Sequence, residues 1–70
     1  MADDLDARLL AAHAANDRRA LVALYLEAAR TIGDEAERAF LLTHAWVFAL
    51  EAGDPAAAEL ETRLRDMGCA

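Results

Sequence analysis

The chain has 70 residues and a net charge of −6, from thirteen acidic residues and seven arginines. A chain of this length forms one small domain, and it buries only about 60% of the surface that is exposed when it is unfolded. The cations are too few and too dispersed to displace counterions from a nucleic acid, so we expect no nucleic-acid partner.

The residue types indicate an all-α protein. Alanine, which has the highest intrinsic helix propensity, occupies nineteen positions. Residues that favour strands are scarce, since the chain has two valines and one isoleucine. Alanine adds little side-chain burial, so the composition predicts helices that form readily around a core of small volume.

The first predicted helix covers residues 3–15. It carries a narrow apolar stripe at Leu5, Leu9 and Ala12, and a helix with one such stripe lies on the outside of a fold with one face inward. Three acids occupy its first turn, where carboxylates favour the positive end of the helix dipole.

The second predicted helix covers residues 18–32 and follows Asp17, whose carboxylate can accept hydrogen bonds from the first free backbone N–H groups. Arg18 and Arg19 lie at an end where positive charge is disfavoured, so we expect them to pair with acids of another helix. The helix has two apolar rows and should contact neighbours on two sides.

A single helix over residues 4–32 is the alternative to this break. No glycine precedes Asp17, and the two arginines weaken the signal for a helix start. A continuous helix of that length would exceed the usual length in globular proteins, which favours the two-helix interpretation.

The third predicted helix covers residues 35–52. Gly33 can close the preceding helix in the left-handed conformation, and Asp34 with Glu37 forms an arrangement like a capping box. The helix is apolar almost all round from Phe40 onwards. A helix with that pattern is buried or meets another protein.

The fourth predicted helix covers residues 55–67. Gly53 is predicted to end the third helix in the left-handed conformation, Asp54 to cap the fourth, and Pro55 to occupy its first turn. Its single apolar stripe places it, like the first helix, on the outside. Acid–arginine pairs at i,i+4 are expected on the solvent faces of the outer helices; they are Asp4/Arg8, Glu59/Arg63 and Glu61/Arg65.

These elements predict one all-α domain over residues 1–70, a small four-helix antiparallel bundle or two αα-hairpins. The stretches AARTIGD at residues 28–34 and ALEAGDP at residues 49–55 resemble tetratricopeptide repeats in their small residues, Gly-Asp turn and proline turn. The resemblance covers about residues 20–65. It implies a protein-interaction module with a concave helical surface, although two hairpins are fewer than a solenoid needs, which favours a compact bundle or a self-associating dimer.

The third helix has more apolar perimeter than its own chain can cover, which predicts an interaction surface for a partner protein or for a second copy in a homodimer. The candidate residues are large side chains of the second and third helices: Tyr25, Phe40, His44, Trp46, Val47 and Phe48. Core packing is the alternative interpretation of the aromatic ones. A further alternative is a small-molecule pocket between these helices near Tyr25, His44 and Trp46.

Enzymatic chemistry has little support in the chain, and we expect no cofactor and no metal. Serine is absent, there is no phosphate-binding glycine loop, and His13 and His44 lack the spacing of a metal site. A pairing of His44 with Glu51 or His13 for acid–base chemistry is possible but less expected than a packing role. Cys69 has no basic neighbour in sequence that would activate its thiol.

The apolar runs are too short for a membrane span, and no cationic segment leads into an apolar one at the N-terminus. One cysteine cannot form an internal disulfide, which agrees with a reducing compartment. Abundant alanine, with arginine in place of lysine, is typical of GC-rich bacterial coding. We therefore expect a protein of the bacterial cytoplasm.

Overall fold

The computed structural model describes residues 2–68, with the side chains of residues 4–68. It contains four α-helices: α1 (Ala2–Ala15), α2 (Arg18–Thr31), α3 (Glu35–Ala52) and α4 (Ala56–Asp66). Each end lies within one residue of the predicted one. The all-α prediction is confirmed, since this part of the chain contains no strand.

The break between α1 and α2 confirms the two-helix interpretation. Asn16 adopts a positive φ of 54°, which a continuous helix cannot contain. The Asp17 carboxylate accepts a hydrogen bond from the Ala20 backbone N–H at 3.2 Å and caps α2. Arg18 is the first residue of α2, and its charge is offset by an ion pair with Glu51 of α3 at 2.9 Å, as expected. Arg19 is exposed and makes no ion pair within residues 2–68.

The ends of α3 follow the predicted capping chemistry. Asp34 accepts from the backbone N–H groups of Ala36 and Glu37 at the start of the helix. Gly53 ends it with φ 67°, in the left-handed conformation. Asp54 then accepts from the Ala56 backbone N–H at 2.9 Å and starts α4.

The prediction for Gly33 is wrong, because this residue does not have a positive φ. The chain leaves α2 through Ile32 in an extended conformation, with φ −90° and ψ 129°. Side chains donate hydrogen bonds to the backbone carbonyl groups at this helix end: Arg38 donates to the Ile32 oxygen and Thr31 to the Ala28 oxygen. A left-handed glycine is therefore unnecessary here.

α1 runs antiparallel to α2, and α2 runs antiparallel to α3, as the contacts Arg18–Glu51 and Tyr25–His44 show for the second pair. Arg8 of α1 pairs with Glu27 of α2, and further along α1 His13 contacts Tyr25, so residue numbers rise along one helix and fall along the other. Within residues 2–68, close backbone contacts join only helices adjacent in the chain. The four helices therefore form an open array with extents of 30 × 29 × 12 Å, in which α2 and α3 are the inner elements.

Two apolar clusters hold this array together. The larger joins α2, α3 and α4 through seven buried residues: Val22, Ala29, Leu42, Ala45, Ala49, Leu60 and Leu64. The smaller joins α1 to α2 through Ala12, Leu21 and Leu24, with Leu5 and Leu9 packed on it. Because α1 contributes to the smaller cluster alone, less apolar burial stabilises it.

Two of the three predicted acid–arginine pairs form, Asp4 with Arg8 at 3.2 Å and Glu61 with Arg65 at 2.7 Å. The prediction for Glu59 and Arg63 is wrong, since no ion pair joins them. Arg63 instead lines a cavity between helices. No helix of the described residues combines the length and hydropathy needed to cross a bilayer.

Candidate interaction surface

Five aromatic or imidazole side chains meet where α1, α2 and α3 approach one another. We call them the aromatic cluster: His13, Tyr25, Phe40, His44 and Phe48. The Tyr25 and Phe48 rings are stacked, with centroids 5.8 Å apart and an interplanar angle of 16°. His13 meets both of these rings edge-on, which brings α1 into side-chain contact with α3 across α2.

Both histidines of the cluster have local hydrogen-bond partners. His13 Nε2 lies 3.0 Å from the Tyr25 hydroxyl oxygen. His44 Nδ1 lies 3.0 Å from the Phe40 backbone oxygen, an acceptor, so Nδ1 carries the proton and Nε2 remains available. Glu51, a sequence candidate for pairing with His44, accepts from Arg18 instead. The cluster therefore packs helices together and contains no histidine–carboxylate pair.

A line of exposed side chains runs along α3 on the side opposite its core residues. We call it the α3 stripe; its members follow one another at spacings of four, three, four and three residues: Ala36, Phe40, Thr43, Val47 and Leu50. The exposed fractions of Phe40, Val47 and Leu50 are 63%, 41% and 54%. The stripe extends about 21 Å at a rise of 1.5 Å per residue.

This spacing is that of a heptad seam, in which apolar side chains repeat every 3.5 residues and insert between those of a facing helix. Leu42, Ala45 and Ala49 are the fully buried residues of α3, and they point away from the stripe into the core. Beside the stripe, a shallow apolar depression of about 170 Å³ is lined by Thr43, His44, Val47 and Phe48. A facing side chain could enter it.

Acidic residues border the stripe at both ends. Glu37 follows Ala36 and is exposed, without an ion pair in the described part of the chain. Glu51 follows Leu50 and pairs with Arg18, with about half of each side chain exposed. The stripe is therefore an apolar surface with an unpaired acid near its first residue and an ion pair near its last.

The structure places the six predicted surface residues in three different surroundings. Phe40 and Val47 belong to the stripe, and Tyr25, His44 and Phe48 support it from the aromatic cluster. Trp46 lies elsewhere, half-buried against the cluster that joins α2, α3 and α4. Its indole Nε1 is buried without a hydrogen-bond partner among residues 2–68, which marks the core side of α3.

Sequence reasoning missed Ala36, Thr43 and Leu50 as members of the same surface. The sequence contains a signal for them, because the four-three spacing from Ala36 to Leu50 can be counted directly. That signal was masked by the other apolar residues of α3, which fill every side of the helix.

Two of the three residues named for the predicted small-molecule pocket are in contact. The rings of Tyr25 and His44 contact each other at a centroid distance of 5.2 Å, and Trp46 lies on another side of α3. A cavity of about 520 Å³ lies between α1 and α2 and is lined mainly by alanines.

Metal-binding groups are not assembled in the described residues, where no three His, Cys, Asp or Glu side chains lie together as ligands would. Cys69 lies outside the described residues. Comparison of the chain with protein-family models, with curated proteins and with solved structures finds no match.

Proposed function

We propose that this chain is a non-enzymatic interaction module that binds one helix of a partner protein along the α3 stripe. The observation that carries the proposal is the exposure of Phe40, Val47 and Leu50 at heptad spacing on a helix whose opposite side is the core. The resemblance to tetratricopeptide repeats supports the same class of function, since those repeats are interaction modules.

Burial of the stripe supplies the driving force for binding. Complete burial of one Phe, Val or Leu side chain is worth about 1.5 to 3 kcal/mol, and these three side chains are already partly covered. Association and side-chain ordering oppose this gain by several kcal/mol. A seam of this length therefore supports a reversible complex that depends strongly on each large side chain.

The charges beside the stripe favour a partner of different sequence over a second copy. Each chain carries a net charge of −6, so two copies that met along the stripe would repel each other. Glu37 has no ion pair within the described residues, whereas Glu51 is paired with Arg18. A partner helix with an apolar seam flanked by Lys or Arg would meet the same acids favourably. We therefore propose an amphipathic, basic helix as the occupant.

A synthetic helical peptide tests the proposal directly. The probe has Leu at heptad seam positions and Lys on both flanks, and its binding is measured by fluorescence anisotropy. Phe40→Glu and Leu50→Glu each place a carboxylate in the seam at an exposed position, so we expect each to weaken binding at least about tenfold. The matched control is Leu10→Glu, because Leu10 is 71% exposed but lies on α1.

The result has three informative outcomes. The proposal is supported if the two α3 variants lose affinity for the peptide while the affinity of Leu10→Glu stays within about twofold of that of the parent chain. Equal affinity for all variants, or no binding, contradicts it. Analytical ultracentrifugation of the chain alone tests the other occupant: a dimer that dissociates in Phe40→Glu would replace the partner helix by a second copy.

A further inference from the structure

Three of the seven arginines line one cavity of about 290 Å³ between α2, α3 and α4. We call it the three-arginine pocket: Arg30 comes from the last turn of α2, Arg38 from α3 and Arg63 from α4, with Leu26 and Ala29 as its apolar wall. Such a concentration of positive charge is unexpected in a chain with a net charge of −6.

These arginines form no ion pair within the described part of the chain. No acid of the described residues lies within ion-pair distance of Arg30, Arg38 or Arg63, although Glu59 is one helical turn from Arg63. Glu27 lies close to Arg30 in sequence, but both of its carboxylate oxygens accept from Arg8, at 3.2 and 2.8 Å. The charges of Glu27 and Arg30 still interact, although no ion pair joins them. The pocket therefore holds three guanidinium groups that form no ion pair with the described residues, and it retains positive charge.

One of these groups is held in place. Arg38 Nη2 donates to the Ile32 backbone oxygen at 2.8 Å, which anchors its guanidinium at the turn between α2 and α3. Four further N–H groups of that guanidinium remain for a ligand. Arg30 and Arg63 are exposed and can move toward a ligand between them and Arg38.

Guanidinium groups from three helices match a tetrahedral oxyanion better than a planar one. A carboxylate has two oxygens and is satisfied by one bidentate arginine, whereas a phosphate dianion offers three terminal oxygens in different directions. The volume is at the small end of ligand pockets, and the Leu26–Ala29 wall suits the apolar stem of an ester. We propose that the three-arginine pocket binds the phosphate dianion of a small ligand.

This site is independent of the α3 stripe. Arg38 is four residues before Leu42 and seven before Ala45, and these spacings place it on the core side of α3. The pocket and the α3 stripe can therefore be occupied together, and a negative result for one does not affect the proposal for the other.

Titration with small phosphates tests the pocket, followed by ¹H–¹⁵N NMR at constant ionic strength. Phenyl phosphate and inorganic phosphate are the probes, because a preference for the ester would show that the apolar wall contributes. We expect saturable shifts in amides around Arg30, Arg38 and Arg63. Arg30→Gln and Arg63→Gln should each weaken binding about tenfold, since each removes charged hydrogen bonds to the anion.

The matched control is Arg19→Gln, which removes the same charge from an exposed position at the other end of α2. It should change the affinity by less than about twofold. The proposal would be overturned if neither phosphate bound saturably. It would also be overturned if Arg19→Gln lost as much affinity as the pocket variants. Succinate binding as tightly as phosphate would also overturn it, because the pocket would then not distinguish oxyanion shape. Circular dichroism confirms that each variant is folded.

Discussion

Gly53 and Gly33 precede the acidic caps of α4 and α3, yet they differ in backbone conformation. Gly53 has φ 67° and its N–H contacts the carbonyls of Ala49 and Leu50, whereas Gly33 lies outside the left-handed region. A Cβ added at either glycine meets no atom within 4 Å. Both positions therefore have space for a side chain, but a side chain would strain the backbone at Gly53 only.

Alanine substitution should separate these two glycines. Gly53→Ala should lower the free energy of unfolding by about 1 to 2 kcal/mol, because a side chain is strained in the left-handed region. Gly33→Ala, the matched control, should leave it unchanged or raise it by up to about 1 kcal/mol through the unfolded state. Urea denaturation measures both, and equal losses would contradict the conformational difference.

Trp46 illustrates how a conspicuous residue can lie away from the site. Its side chain packs on the core side of α3, where its indole N–H is buried. Its substitution would therefore alter stability without removing a side chain of the α3 stripe. The exposed Phe40 and Leu50 are the better positions for testing the proposed interaction surface.

The attachment of α1 to α2 combines a small apolar cluster with an ion pair. Arg8 is held between Asp4 of its own helix and Glu27 of α2. The hydrogen bond from Arg8 lowers the pKa of Glu27 below its ordinary value; desolvation opposes this effect, and the charges of Arg8 and Arg30 add to it. The acid form of Glu27 is therefore disfavoured in the folded protein.

This lowered pKa predicts a pH dependence of stability. The contribution of Glu27 is fully present above its unfolded pKa, and it is lost as the pH falls through the lower folded value. Glu27→Gln should therefore flatten the decline in unfolding free energy in the acid range. Glu59→Gln is the matched control, since Glu59 makes no ion pair with Arg63. Identical pH profiles for the parent chain and Glu27→Gln would contradict the assignment.

The molecule as a whole is an open array, and its two ends are unequally attached. Seven buried residues join α2, α3 and α4, whereas three join α1 to α2. Since α1 makes close backbone contact with α2 alone, it can separate without disturbing the larger cluster. The extra contact from His13 to Phe48 only partly compensates for this.

Native-state hydrogen exchange should therefore show a gradient along the chain. Amides in the middle of α1 are expected to exchange through local opening at a lower free energy than those in the middle of α3, which has neighbours on two sides. Uniform protection across the two helices would contradict this expectation and indicate a single cooperative unit.

The helices could be predicted almost residue by residue because their ends depend on local chemistry. Asp17, Asp34 and Asp54 accept hydrogen bonds from N–H groups two or three residues ahead, so sequence spacing is enough to locate the caps. The exception is Gly33, where Arg38 reaches back six residues to Ile32 and replaces a glycine turn. A side-chain contact of that kind is not visible in propensities.

The candidate site was only partly predictable, since α3 is apolar on nearly every side. Its hydrophobic pattern identified the helix that carries the surface but not the side that stays exposed. That choice depends on where α2 and α4 pack, which covers the Trp46 side and leaves Phe40, Val47 and Leu50 open. The arginines of the three-arginine pocket likewise come from three helices and converge only in the folded chain. The limits of the helices thus follow from residues close together in the sequence. The exposed side of α3 and the convergence of the three arginines follow from packing between residues far apart in the sequence.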